Sequence, residues 1–310
     1  MIVYDNLFAL LHERNISKTG LAKMAGLSSA TLAKLAKNET VSIKVIEAIC
    51  NALKCQPGDI LSVKSDGENE TLLSRLLEEK EMRLKGGLYH LTQIKLAYNS
   101  NRIEGSRLSE NQTRYIYETH TIAAEPDEAI RIDDITETVN HFRCFDYMLD
   151  TAAEPLCEEI IKTLHKILKS GTTDSEKKWF AVGDYKRRAN AVGDRETVPP
   201  AKVAEEMAKL LLNYAKKAEV TLDDIIAFHV AFERIHPFQD GNGRVGRLIM
   251  FRECLRHNSI PFIIEDQHKL FYYRGIREFD QEKGYLRDTC LSAQDAYQKY
   301  IDYFYSEDSE

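Results

Sequence analysis

Residues 235–247, IHPFQDGNGRVGR, constrain this chain more than any other stretch. The preceding residues 222–235, LDDIIAFHVAFERI, are apolar enough to form a buried core helix. A glycine-rich turn interrupts it, and a new helix starts near Gly243 with Val245, Leu248, Phe251 and Leu255 facing the core. A helix, a tight turn and a second helix N-terminus make a site for polyphosphate. Gly241 and Gly243 let backbone N–H groups approach an anion, and the helix start adds unpaired donors and a favourable dipole. Arg244 and Arg247 stand three residues apart on one helix face, about 5–6 Å from each other, and can hold successive phosphates. Asp240 is a hard oxygen ligand placed to share Mg²⁺ with those phosphates, and His236 is the base beside them.

The rest of the chain reads as mainly α. Gly and Pro are sparse, 15 and 7 in 310 residues, and apolar residues recur at helical spacing over long stretches. Residues 1–62 divide into short helices. Leu7, Leu10 and Leu11 form one stripe, Ser17 caps a second helix that Gly26 stops, Ser28 caps a third, and Ser42 a fourth. Three short helices with a glycine turn between the second and third describe a helix-turn-helix. Residues 63–70 are polar and read as a linker, leaving 71–310 as the larger domain. Within it a charged helix begins near Thr71 and runs to Gly86 and Gly87. A second, from about Leu88 to Ile103, is closed by Gly105, and residues 156–169 and 201–215 are amphipathic. Helical periodicity fails at 185–200, where Gly193-Asp194 suits a two-residue hairpin turn.

Charge and cysteine usage narrow the classes further. Residues 1–62 carry seven Lys and Arg against five Asp and Glu, a local charge of +2, so the net charge of −7 leaves −9 on the remainder. That balance argues against a chain coated in nucleic acid. The six cysteines show neither C-x-x-C pairs nor metal spacing, which points to buried free thiols. The apolar runs are too short for a membrane helix, and Asp5 and Glu13 interrupt the start, so a cytoplasmic protein without a membrane partner is expected.

HPFQDGNGRVGR matches the Fic-family pattern H-x-F-x-[DE]-G-N-G-R-x-x-R at every fixed position. The resemblance extends through YNSNRIEGSRLS, LHKIL, GDYKRRANAVGD with Pro199-Pro200, FHVAFERI and FYYRGI. It implies a Fic-type helical core that transfers AMP from ATP to a hydroxyl of a target protein, with self-modification included. By the same resemblance His236 deprotonates the hydroxyl, Phe238 anchors the loop, and Asp240 holds Mg²⁺. Asn242 with the backbone of Gly241 and Gly243 forms the anion hole, Arg244 stabilises the leaving pyrophosphate, and Arg247 holds the γ-phosphate. The hairpin, with Asn190, Val192 and Thr197, resembles the family's flap, a small β-hairpin that lines up a target segment by strand addition. Ser100, Glu104 and Gly105 in SNRIEG resemble the inhibitory motif [ST]-x-x-x-E-[GN], whose glutamate pairs with the second arginine. His229 and His165 read as packing residues, and Tyr272 and Tyr273 as either core or the border of an adenine pocket.

Residues 1–62 resemble the Cro and repressor helix-turn-helix domains through LAKMAGLSSATLAKL and ICNALKCQPGDIL, a four- to five-helix unit. That likeness puts Ser29, Ala30 and Lys34 near base edges and Lys18, Lys23 and Lys37 near phosphates. Ala30, Ala33 and Ala36 neither donate nor accept, so base readers are few. The alternative for this unit is dimerisation or protein docking, and a homodimer is the expected assembly. Alternatives for the larger domain are UMP or phosphocholine transfer, AMP removal with Glu104 aligning water, or a DNA-binding regulator that senses a nucleotide.

Overall fold

A computed structural model describes residues 2–14, 16–63, 71–124, 129–193 and 195–305. It falls into two units, Met1–Glu70 and Thr71–Glu310.

The first unit holds α1 (Asp5–Glu13), α2 (Lys18–Ala25), α3 (Ser29–Ala36) and α4 (Ile43–Leu53), with a single 3₁₀ turn at Pro57–Asp59. The turn between α2 and α3 is chemically specified. The Ser17 hydroxyl accepts the Gly20 N–H at 3.0 Å, and the Ser28 hydroxyl accepts the Thr31 N–H at 3.1 Å. Each such cap contributes about 1 kcal/mol. Gly26 between them takes the left-handed conformation, φ 63°, that ends α2. Leu7, Leu11, Leu21, Leu35, Ile49, Leu53 and Ile60 close the core. Strand β1 (Ile2–Val3) pairs antiparallel with β2 (Ser62–Val63), so the folded unit reaches Val63, one residue into the segment expected as linker. The remainder of that segment, 64–70, lies outside the described residues.

Among the described residues, the second unit consists of helices joined by loops, with one hairpin. Its elements are α5 (Leu72–Met82), α6 (Leu88–Ile103), α7 (Glu110–Thr119), α8 (Ile132–Asp150), α9 (Glu158–Lys169), α10 (Pro200–Ala215), α11 (Leu222–Ile235), α12 (Asn242–Arg256), α13 (Lys269–Arg277) and α14 (Gly284–Tyr305). The hairpin is β3 (Ala191–Val192) with β4 (Arg195–Glu196), Val192 opposite Arg195. Gly193 has φ 58°, and Asp194 lies outside the described residues. The mainly α class with one small hairpin agrees with the sequence reading.

α12 is the central helix. Val245, Leu248 and Phe251 are fully buried against Phe145, Leu164, Leu168 and Phe232 of the helices around it. Its polar side chains are buried too, which forces each to find a partner. Arg252, for example, binds the carbonyls of Thr151 and Glu154 beyond α8. α5 stops earlier than expected, because Arg83 adopts the left-handed cap at φ 50° before Gly86 is reached. Of the cysteines, Cys144, Cys254 and Cys290 are buried, whereas Cys157 is exposed, unlike the buried thiol anticipated. Among the described residues no helix is long and apolar enough to cross a membrane.

Candidate active site

The site begins where α11 ends. His236 caps that helix in the left-handed region, φ 52° and ψ 62°, a conformation that costs a side-chain-bearing residue about 1–2 kcal/mol. Its Nδ1 lies 3.4 Å from the Glu233 carbonyl, which only accepts, so Nδ1 carries the proton and Nε2 keeps its lone pair. Burial, and then the Lys186 ammonium, hold the imidazole below the ordinary histidine range. The ring is therefore an unprotonated base at neutral pH.

The loop that follows is fastened from below. Phe238 is fully buried and stacks on His165, with ring centroids 3.9 Å apart and planes within 3°. His165 Nδ1 accepts the Gly183 N–H at 2.9 Å, so its proton sits on Nε2, which donates to the Asp240 carbonyl at 3.1 Å. Burial keeps this histidine neutral, its pKa pushed down to about 3. The packing role expected of His165 thus includes a specific tie to the loop. Asn242 departs from its expected place. Its amide accepts the Phe238 N–H at 2.8 Å and donates to the Phe238 carbonyl at 2.9 Å, so its side chain clamps the loop rather than lining an anion hole. What faces the site is the start of α12, capped by Gly241 at φ 82°, where the first-turn N–H groups have no partner within the helix.

Two arginines leave that turn, and each meets carboxylates from other segments. Arg244, 4% exposed, donates to Glu137 of α8 and to Asp240 Oδ2 at 3.1 Å. Lys169, 2% exposed at the end of α9, donates to the same Asp240 oxygen at 2.7 Å, to Glu137 at 2.6 Å and to Asp174 at 2.9 Å. Burial alone would raise the Asp240 pKa, but the Arg244 and Lys169 cations hold it well below the usual carboxylate range. Glu137, Lys169 and Asp174 escaped sequence reading. The one local signal was the spacing of His165 and Lys169, four apart and so on one face of α9.

Arg247 donates through Nη2 to Glu104 Oε1 at 2.7 Å and to the Ser100 carbonyl at 2.9 Å, and through Nε to Ser100 Oγ at 3.0 Å. The Glu104 carboxylate lies on the first turn of α12. A Cβ at residue 243 would stand 2.2 Å from Glu104 Oε1, so a side chain there would push the Glu104 carboxylate aside. Gly105 follows at φ 96° just past α6. Arg247 Nη1 also reaches the Tyr272 hydroxyl at 3.5 Å, which in turn is 2.7 Å from His229 Nε2. Tyr272 and His229 are thus core partners of the arginine. Tyr273 is 43% exposed and donates to the Ile103 carbonyl at 3.2 Å.

The hairpin residues divide. Val192 is 51% exposed on β3, whereas Asn190 and Thr197 turn inward to the Lys186 ammonium at 2.7 and 2.5 Å. In the first unit Lys18, Lys23, Lys34 and Lys37 are exposed, as is Ala30; the Ser29 side chain lies outside the described residues.

Residues 155–254 match the Fic/DOC family, and residues 6–66 match a Cro/C1-type HTH DNA-binding domain. The chain is 27% identical over 184 residues to "Probable protein adenylyltransferase aq_aa38" of Aquifex aeolicus, covering 56% of each. It is 26% identical over 193 residues to the protein adenylyltransferase Fic of Nematostella vectensis, covering 58% of this chain and 42% of that one. It thus spans about half the length of these relatives. Its N-terminal part is 40% identical over 68 residues to the uncharacterized HTH-type transcriptional regulator YozG of Bacillus subtilis, covering 21% of this chain and 81% of YozG. Among solved structures, Fic-1 from C. elegans superposes with a TM-score of 0.58 at 17% identity, covering 97% of this chain and 93% of that one. A Fic domain containing signaling protein from Bacteroides thetaiotaomicron gives 0.55 at 22%, covering 76% and 91%; at these identities the likeness is one of fold. The chain thus carries a Fic domain of the Fic/DOC family at residues 155–254 and a Cro/C1-type helix-turn-helix domain ahead of it.

Proposed function

We propose that the protein is a protein adenylyltransferase that moves AMP from ATP to a Ser, Thr or Tyr hydroxyl of a target protein. The observation that carries this reading is the placement of an unprotonated His236 at the mouth of a turn whose helix N-terminus, Arg244 and Arg247 can receive a triphosphate. The hydroxyl gives its proton to Nε2 as its oxygen bonds to the α-phosphorus. The bond from that phosphorus to the bridging oxygen breaks, and pyrophosphate leaves against Arg244. Backbone N–H groups of the first α12 turn and the Arg244 guanidinium face the charge that develops, and Arg247 joins them once its Glu104 partner is displaced.

Asp240 suits a Mg²⁺ ion brought in with the phosphates. The two cations beside it share one carboxylate oxygen, Oδ2, and the side chain is 48% exposed, so the other oxygen is the one a metal would take. Among the described residues no cluster of three or more His, Cys, Asp or Glu is arranged to hold an ion alone, which matches a metal bound by one carboxylate plus phosphate and water. When bound it would neutralise the pyrophosphate charge. Incubating the protein with α-labelled ATP, UTP or GTP, alone and in lysate, tests the reading. Label transfer from ATP is expected, dependent on Mg²⁺, and Asp240→Ala should lose it without recovery at excess metal. Full recovery at high Mg²⁺ would remove Asp240 as the ligand, and transfer from UTP alone would replace AMP with UMP.

The first unit is proposed to bind duplex DNA through α2 and α3. Lys18, Lys23 and Lys37 stand exposed on α2 and at the end of α3, as phosphate contacts require, and Lys34 stands exposed on α3 as a candidate base reader. Retention on DNA should weaken steeply between about 50 and 200 mM salt, and changing Lys18, Lys23 and Lys37 together to Glu should abolish it. Salt-insensitive association would assign the unit to protein docking instead.

A further inference from the structure

Lys186 is 3% exposed, and among the described residues no carboxylate meets its ammonium. Its three acceptors are neutral: Asn190 Oδ1 at 2.7 Å, Thr197 Oγ1 at 2.5 Å and the Ile235 carbonyl at 3.4 Å. Its backbone N–H donates to the Pro237 carbonyl at 2.8 Å. The carbonyls on either side of His236 are therefore both bound by one residue, at the turn where His236 itself is held left-handed at φ 52°. Such a conformation persists only where its surroundings over-determine it. The other two arms of the ammonium reach the two ends of the hairpin. Thr197 Oγ1 also donates to the Asn190 carbonyl at 2.9 Å, and Asn190 Nδ2 donates to the Phe238 carbonyl at 3.2 Å, so hairpin and loop are stitched twice.

We propose that Lys186 is a positioning residue that fastens the flap to the His236 turn, so that a target strand on the flap and the base at Nε2 keep one register. The proposal rests on the adenylyltransferase reading for its catalytic consequence, while the clamp itself is independent of it. A neutral donor could make the same hydrogen bonds, so the charge needs its own account. Glu233 on α11, Glu104 after α6 and Asp240 in the loop are the carboxylates near His236, and the last two favour the imidazolium. Lys186 is the cation that opposes them, and burial brings its own pKa down to about 8.

The test uses the nucleotide-free full chain with Lys186→Met, Lys186→Arg and Thr197→Val. Histidine NMR titration and amide hydrogen exchange are read together. Lys186→Met should move the His236 titration to higher pH and speed exchange in both 188–198 and 236–241 by about tenfold or more. Lys186→Arg should restore the titration and most of the protection. Thr197→Val, which keeps the cation, should loosen both segments while leaving the titration near wild type; it carries the test if the Met variant fails to fold. In the labelling assay Lys186→Met should lower kcat with little change in the KM for ATP. An unchanged titration together with unchanged exchange at 236–241 would overturn the clamp, whether or not any transfer is detected.

Discussion

His236→Asn should lower AMP transfer by about 10²- to 10⁴-fold, the range that general-base catalysis supplies, while Mg²⁺-ATP binding stays near wild type. Asparagine is the better replacement because residue 236 sits at φ 52°, which asparagine tolerates and alanine resists. His236→Ala should show the same chemical loss with some added instability. Binding survives because, among the described residues, the imidazole hydrogen-bonds only to the Glu233 carbonyl, and the loop is held by Phe238 on His165, by the Asn242 amide and by Lys186. The wild-type rate should be level at neutral pH and fall only on the acid side of the ordinary histidine value, since burial and Lys186 depress the His236 pKa. Calorimetry for ATP affinity, set beside the labelling rate across pH, checks both parts. Labelling by His236→Asn at the wild-type rate would remove the base from the mechanism.

Why this much could be read from sequence is clear from where the residues lie. His236, Asp240, Gly241, Gly243, Arg244 and Arg247 share one turn, so local rules about glycine, helix starts and i,i+3 spacing place them without knowledge of the fold. The caps Ser17 and Ser28 and the stop at Gly26 are local in the same sense, and the structure shows each as expected. Glu137 and Lys169 are the opposite case. They are 32 residues apart, on α8 and α9, and meet only because those helices pack side by side. In sequence Glu137 is one acid in an ordinary amphipathic stretch, TETVNH, with nothing to set it apart from a solvated residue.

Asn242 shows a different limit. A motif can say that an amide is needed at a position, but not whether the amide meets ligand or backbone. Here both of its hydrogen-bonding ends are consumed by Phe238. Asn190 and Thr197 show the same limit. The resemblance assigned them to the flap without saying which way their side chains turn, and both meet the buried ammonium of Lys186. Only tertiary packing could supply that fact.

Glu104→Gly should raise AMP transfer, including any self-labelling, by about ten- to a hundredfold. The guanidinium of Arg247 is buried, and its Nη2 group is committed to Glu104 at 2.7 Å and to the Ser100 carbonyl at 2.9 Å. The glutamate carboxylate also covers the start of α12 beside Gly243, so it stands where an anionic γ-phosphate would bind. A charge-assisted bond of this kind contributes roughly 1.5–3 kcal/mol, and each 1.4 kcal/mol is about tenfold in population. Ser100 Oγ on Nε keeps the arginine aimed after Glu104 is gone, so the variant exposes a formed site rather than a collapsed one. Without nucleotide the variant should melt earlier, because a buried cation has lost its partner, and ATP should stabilise it more than it stabilises wild type. Glu104→Gln, which keeps a side chain after α6, should show a smaller gain. The gain should disappear when Arg247→Ala is combined with Glu104→Gly, since the two changes act on one pair. If Glu104→Gly folds yet transfers AMP no faster, Glu104 does not restrain the enzyme. Whether the rate is unchanged or lower, release of label from pre-modified protein then tests whether Glu104 instead aligns water for AMP removal.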